Sequence, residues 1–202
     1  ALKEVKVIAG IPEALAELRD GGATLSVVTS SSLLRVVPGL ENNSLVEFFA
    51  TDGSEPRIWS AKESLEEHPK YGRAIPKSAE HPEIYELALE FTGADPKKVV
   101  AIEDSGSGLG AAVALGIPVI GLTAASHIAD EDKKAHGQKL IDKASEVLGR
   151  PATEADIIIV HDPAEIPSAI GRILNLPVVA RKVEGAELKA SSSFSNSQLG
   201  NR

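Results

Sequence analysis

The 202-residue chain contains no cysteine and no methionine. Without cysteine, disulfides, thiolate nucleophiles and thiolate metal sites are excluded. The absence accords with a reducing, cytoplasmic compartment, although any compartment tolerates it. Without methionine, and with Ala1 first, the sequence reads as a processed, truncated or engineered chain. Aromatic residues make up only 3%, no dense Lys/Arg block occurs, and the formal net charge is −8. That combination argues against a nucleic-acid surface, which needs cations for phosphates and rings for bases. No apolar run reaches membrane length, and the opening "ALKEVKVIAG" is too short and charged for a span or a signal peptide. What remains is 43% hydrophobic and 25% charged, ordinary for a soluble globular protein with one well-buried domain.

Strands and helices alternate along the chain. "GIPEALAELRDGG" predicts a helix with Pro12 at its start and Gly21–Gly22 as its stop. The apolar strand "ATLSVVTSSS" ends in hydroxyls, and "SLLRVVPGLE" predicts a helix interrupted or ended at Pro38. Residues 42–77 are irregular, with a possible strand in "LVEFFAT" and a short charged helix. "HPEIYELALEFTG" predicts a helix with Ile84, Leu87, Ala88 and Phe91 on its buried face. Strand "KVVAIE", helix Gly108–Leu115 and strand "IPVIGL" then form a β-α-β unit. A polar helical stretch weakened near Gly137, the strand "ADIIIVHD" and the helix "PAEIPSAIGRIL" follow. The fold class is α/β, a three-layer Rossmann-like parallel sheet whose central strands are continuously apolar. Residues 1–176 read as one core domain with irregular insertions about 53–76 and 126–150. Residues 177–202 read as a tail whose Ser- and Asn-rich end is disordered.

In open α/β sheets, ligands collect beyond the carboxyl ends of the strands. Thr29, Ser30 and Ser31 end the first strand, and a hydroxyl with nearby amides suits a phosphate oxygen. The plain alternative is a helix N-cap. Glu103 and Asp104 end another strand and run into "SGSG". A packed sheet has no use for a charged pair at its edge unless a cation rewards it, and magnesium prefers such oxygens. Here too the alternative is capping of the following helix. Lys77 could neutralise phosphate, against the default of a solvated surface lysine. His161 and Asp162 end the last strand, and Asp162 before Pro163 is a natural cap.

Taken together these segments resemble the haloacid dehalogenase-like hydrolases, in particular the phosphoglycolate phosphatase and β-phosphoglucomutase branch. The resemblance spans roughly residues 10–174 and is most specific over 97–122. It implies that Thr29 is the hydroxyl of the second motif, binding phosphate together with Ser30. It implies that Lys77 is the phosphate-binding lysine, and that Asp104 and its acidic neighbour Glu103 hold Mg2+. The expected substrate is a small phosphorylated metabolite. The alternatives are a non-catalytic scaffold serving as a binding or regulatory domain, and an unrelated nucleotide-binding α/β domain. The last has neither a G-x-G-x-x-G after a first strand nor a G-K-[S/T] loop in this sequence.

Three departures accompany the resemblance. The family's lysine position is occupied by Ala79, with Lys77 two residues further from Pro82. The polar stretches 53–74 and 126–148 are longer than a minimal scaffold. No D-x-D follows an apolar strand, and the mobile cap is missing; "ADEDKK" holds the D-x-D spacing at Asp130 and Asp132 only in a polar helical setting. A phosphoaspartate mechanism needs a carboxylate placed to attack phosphorus. The expectation is therefore a chain inactive alone, whose mid-sheet strand comes from an N-terminal segment or a separate chain. "EVKVIA" and "LPVVARKV" are the spare apolar segments that could fill the gap instead.

Overall fold

The computed structural model describes residues 6–50, 54–125 and 127–175. In chain order the elements are α1 (Ile11–Asp20), β1 (Val27–Thr29), α2 (Leu33–Asn42), β2 (Ile58–Ser60), α3 (Glu63–Glu67) and α4 (Glu83–Thr92). They continue with β3 (Ala101–Glu103), α5 (Gly106–Ala114), β4 (Val119–Leu122), α6 (Lys133–Leu148), β5 (Ile157–Val160) and α7 (Ile166–Asn175). All pairings are parallel: β1 pairs with β2 in one sheet, and the order β3-β4-β5 makes the other. The alternation of helix and strand enforces this, because a parallel strand can be reached only by a crossover.

Helices cover both faces. On one side α4, α5 and α6 close a core that contains Leu65, Ile84, Leu109, Val119 and Leu140. On the other, α1 and α7 pack Ala14, Leu18, Ala169 and Ile173 onto Ile120, Leu122, Ile158 and Val160. Leu15 and Ala16 of α1 also touch a third cluster, Leu45, Phe48 and Phe49, beside Val27 and Ile58. One amphipathic helix thus spans both sheets. Val119 and Ile120, fully buried on β4, each contribute roughly 1.5–3 kcal/mol of burial energy.

Between the sheets the backbone alternation leaves a slot. Val27 N–H bonds Arg57 O at 2.8 Å and Thr29 O accepts from Ala61 N–H at 2.8 Å, so β1 turns these residues' polar groups toward β2. Alternation then directs the Val28 amide and carbonyl to the opposite edge. On β3, Ala101 N–H bonds Pro118 O at 3.0 Å on the β4 side, which sends the polar groups of Ile102 the other way. Neither edge has a strand partner among the described residues. Residues 6–9 form no strand, and the spare segment 177–183 lies outside the described residues, as does the whole tail 177–202.

Several expectations are corrected. "LVEFFAT" supplies a 3-10 helix, Val46–Phe49, and the strand of this region is Ile58–Ser60, which sequence reasoning missed. The stretch 126–150 contains a regular 16-residue helix. That helix does not weaken at Gly137: the glycine is buried where α6 crosses Ile159, and a Cβ there would stand 2.9 Å from Ile159 Cγ2. Helix α2 runs through Pro38, although the ring removes a helical N–H. Its start is held by Glu63, which accepts from Leu33 N–H at 3.2 Å, and its end by Asn43 Nδ2–H donating to Gly39 O at 2.8 Å. Phe91 is 67% exposed and stacks on Trp59, whereas Tyr85 takes a place on the buried face. Among the described residues no helix is long and apolar enough to cross a membrane.

The junction from α6 to β5 is fixed by Asp156, 3% exposed, which takes two hydrogen bonds from the Arg150 guanidinium at 2.8 and 2.9 Å. Thr153 adds its amide and hydroxyl. Burial works to raise the Asp156 pKa, but these donors outweigh it and hold it below 3.8. The stabilisation is complete above that value and is lost as pH falls through the lower folded one. Asp156→Asn should cost about 2–3 kcal/mol at pH 7. Thermal melts below pH 4 should fall less steeply in the variant than in the parent chain.

Candidate functional site

The carboxyl ends of β1 and β3 flank the slot and carry the residues singled out from sequence. The Thr29 side chain is not an N-cap: Ser32 caps α2, with its Oγ accepting from Leu34 N–H at 3.3 Å. Thr29 Oγ1 instead accepts the Ser31 amide at 3.0 Å, which leaves its own proton to donate. Ser30 is exposed beside it.

Glu63 organises this loop. Its carboxylate accepts the Ser32 hydroxyl and, at 2.6 Å, the hydroxyl of fully buried Ser60. Those two bonds, Ser32 first, bring its pKa down to about 2, so it is ionised throughout the physiological range. A single carboxylate thereby fastens the end of β2 to the loop after β1.

Lys77 reaches the slot despite its displaced position. The two extra residues are absorbed in a tight turn, in which Ser78 N–H bonds His81 O and His81 N–H bonds Ser78 O at 3.2 and 3.1 Å. Ala79 lies against Gly110, where a Cβ would stand 3.3 Å from the Ala79 methyl. The Lys77 ammonium donates to Glu103 Oε1 at 2.5 Å and to Val28 O at 3.4 Å. It is therefore no solvated surface lysine: its side chain is 7% exposed and it bridges the two sheets.

Glu103 and Asp104 have different surroundings. Glu103, 8% exposed, also accepts the Tyr85 hydroxyl at 2.6 Å through Oε1, while Ser105 Oγ stands 3.4 Å from Oε2. Its carboxylate presses on the Cα of Gly108 so closely that no Cβ fits there. The cap of α5 is Ser105, which accepts Gly108 N–H at 3.2 Å, so Asp104 is not spent on capping. The Asp104 side chain is 42% exposed, with His127 Nδ1 4.0 Å from Oδ2. Its carbonyl accepts His136 Nε2–H at 2.7 Å. The two histidines line a shallow pocket of about 230 Å³ with Ile128, Asp132, Ala135 and Lys139.

The oxygens of Asp104 and the Oε2 edge of Glu103 are hard donors of the kind magnesium takes, and that ion commonly keeps several waters beside one or two carboxylates. No group of three His, Cys, Asp or Glu side chains with metal-binding geometry occurs among the described residues. His161 and Asp162 serve structure. His161 Nδ1 lies 2.6 Å from the Thr123 hydroxyl, and Asp162 forms a capping box with Glu165. Asp130 is paired with Lys133.

The family profile of haloacid dehalogenase-like hydrolases matches residues 1–116, and the chain belongs to that family. It is 32% identical over 143 residues to the probable phosphatase IndB of Dickeya dadantii, covering 71% of this chain and 55% of that protein. A haloacid dehalogenase-like protein of unknown function from Agrobacterium tumefaciens superposes with a TM-score of 0.62 at 27% identity, over 85% of this chain and 63% of that one. A family hydrolase from Deinococcus radiodurans, solved with bound phosphate and sodium, gives 0.55 at 24% identity, over 82% and 59%. The chain thus spans little more than half the length of these relatives.

Sequence reasoning singled out Thr29, Lys77, Glu103 and Asp104, and did not single out Glu63 or Tyr85. A phenol within an apolar helical stripe was the available signal for Tyr85, since a buried hydroxyl needs a partner. Gly108→Ala tests the packing behind Glu103. The added methyl must displace the carboxylate from Lys77 and Tyr85, and urea unfolding should record a loss of about 2 kcal/mol or more.

Proposed function

We propose that this chain is the phosphate- and magnesium-binding core of a phosphomonoester hydrolase that acts through a phosphoaspartate on a small phosphorylated metabolite. The observation that carries the proposal is Lys77, a buried ammonium joining the carbonyl beside Thr29 to the carboxylate beside Asp104. In this reading the Thr29 hydroxyl, the exposed Ser30 and the Lys77 ammonium hold the phosphoryl oxygens. Asp104, with Glu103 Oε2, would hold Mg2+, which supplies positive charge against the phosphoryl group. The attacking carboxylate would come from an N-terminal segment or a separate chain that supplies the strand between β1 and β3. It forms the new P–O bond as the ester P–O bond breaks, and water then releases phosphate. Supporting this reading are the family, the IndB relative's description as a probable phosphatase, and the phosphate in the Deinococcus structure. A cytoplasmic setting, without nucleic-acid or membrane partners, goes with it.

A second reading, a non-catalytic scaffold that binds a ligand, is favoured by one observation. Glu103, the carboxylate nearest Lys77, is already held by two donors on Oε1.

Calorimetry with inorganic phosphate, with and without Mg2+, tests the proposal. Lys77→Met should weaken binding about tenfold, the scale of a lost charged hydrogen bond. Asp104→Asn should abolish the magnesium dependence, and an aryl phosphate should not turn over with this chain alone. Equal phosphate affinity in Lys77→Met would refute the proposed site. Magnesium-dependent turnover would place the attacking group on this chain.

A further inference from the structure

Tyr85 is a deeply buried polar group that the proposed chemistry leaves unused. It stands on α4, 7% exposed, and its hydroxyl donates to Glu103 Oε1 at 2.6 Å, the same oxygen that receives Lys77. The Lys77 ammonium also lies 5.4 Å from the centroid of the Tyr85 ring. Phenol, ammonium and carboxylate thus form one closed group, with Gly108 against the carboxylate.

We infer that Tyr85 is a positioning residue for anion binding: it pins Glu103 Oε1, and through Glu103 and its own ring face it fixes where the Lys77 ammonium points. This rests on the reading of Lys77 as a phosphate-binding lysine. Two donors on Oε1 define the carboxylate's orientation, whereas with Lys77 alone on that oxygen only the longer 3.4 Å Ser105 contact on Oε2 and the Gly108 packing resist a pivot. The ring face is electron-rich and confines the ammonium from a second direction. A phenylalanine would keep the packing and the ring face and would remove only the pin.

The test is Tyr85→Phe in the full chain, read in two ways. Calorimetric affinity for inorganic phosphate should fall about fivefold to tenfold, the range of a lost hydrogen bond to a charged group. The Lys77 ammonium, sealed from water in the parent chain, should give a resolved 15N-lysine signal that exchange broadens away in the variant. In a Glu103→Gln background the same substitution should change neither readout, because the charge it pins is gone. An unchanged ammonium signal in Tyr85→Phe, or an equal effect in the Glu103→Gln background, overturns the inference. If the parent chain and Lys77→Met bind phosphate equally, the phosphate reading falls, and the ammonium signal alone decides the role of Tyr85.

Discussion

A carboxylate shut away from water needs a cation or hydrogen-bond donors beside it. Glu103 is such a group, and much of the local architecture follows from meeting its demand. Lys77 is drawn across the slot to reach it, and the turn at Ser78–His81 shortens the loop so that the reach succeeds. Helix α4 contributes the Tyr85 hydroxyl, and helix α5 lacks a side chain at Gly108 where the carboxylate must lie. The Lys77 loop, α4 and α5 are therefore registered against one another by a single buried carboxylate.

The slot concentrates polarity in a way that the separate strands do not. Val28 and Ile102 direct backbone groups into it, and the Lys77 ammonium already takes the Val28 carbonyl. At the same end the Thr29 loop is tied down by Glu63, while Asp104 stays half exposed. The Thr29 hydroxyl and the Asp104 carboxylate stand at the carboxyl ends of β1 and β3, and the buried Lys77 ammonium links the residues next to them, Val28 and Glu103. Under the proposed function, groups held in this way would act on an anion more strongly than the same groups in water.

The architecture was legible because its signals were long and repeated. Continuous apolar strands bounded by turn residues, and helices bounded by Pro and Gly, identify the sheet and most of its covering. Where reading failed, tertiary packing overrode the local signal. Gly137 looked like a helix breaker and is a contact point. Pro38 looked like an end and is carried through by bonds at both ends of α2. The strand Ile58–Ser60 is too short and too close to turn residues to declare itself, and it exists because β1 offers it an edge. Thr29, Glu103 and Asp104 could be singled out from their places at strand ends, and Lys77 only through the family resemblance. That Glu103 turns to lysine and tyrosine while Asp104 stays half exposed depends on partners far away in the chain.

Helix α6 sits against the sheet at two glycines. A Cβ on Gly121 would stand 2.5 Å from Ile159 Cδ1, and one on Gly137 would stand 2.9 Å from Ile159 Cγ2. One isoleucine therefore occupies the volume that two side chains would otherwise claim. The three positions behave as a single allotment of space. A side chain added at 121 or 137 has room only if Ile159 gives way, and at 121 it must also clear Leu140, whose Cδ1 would stand 3.1 Å from the new Cβ.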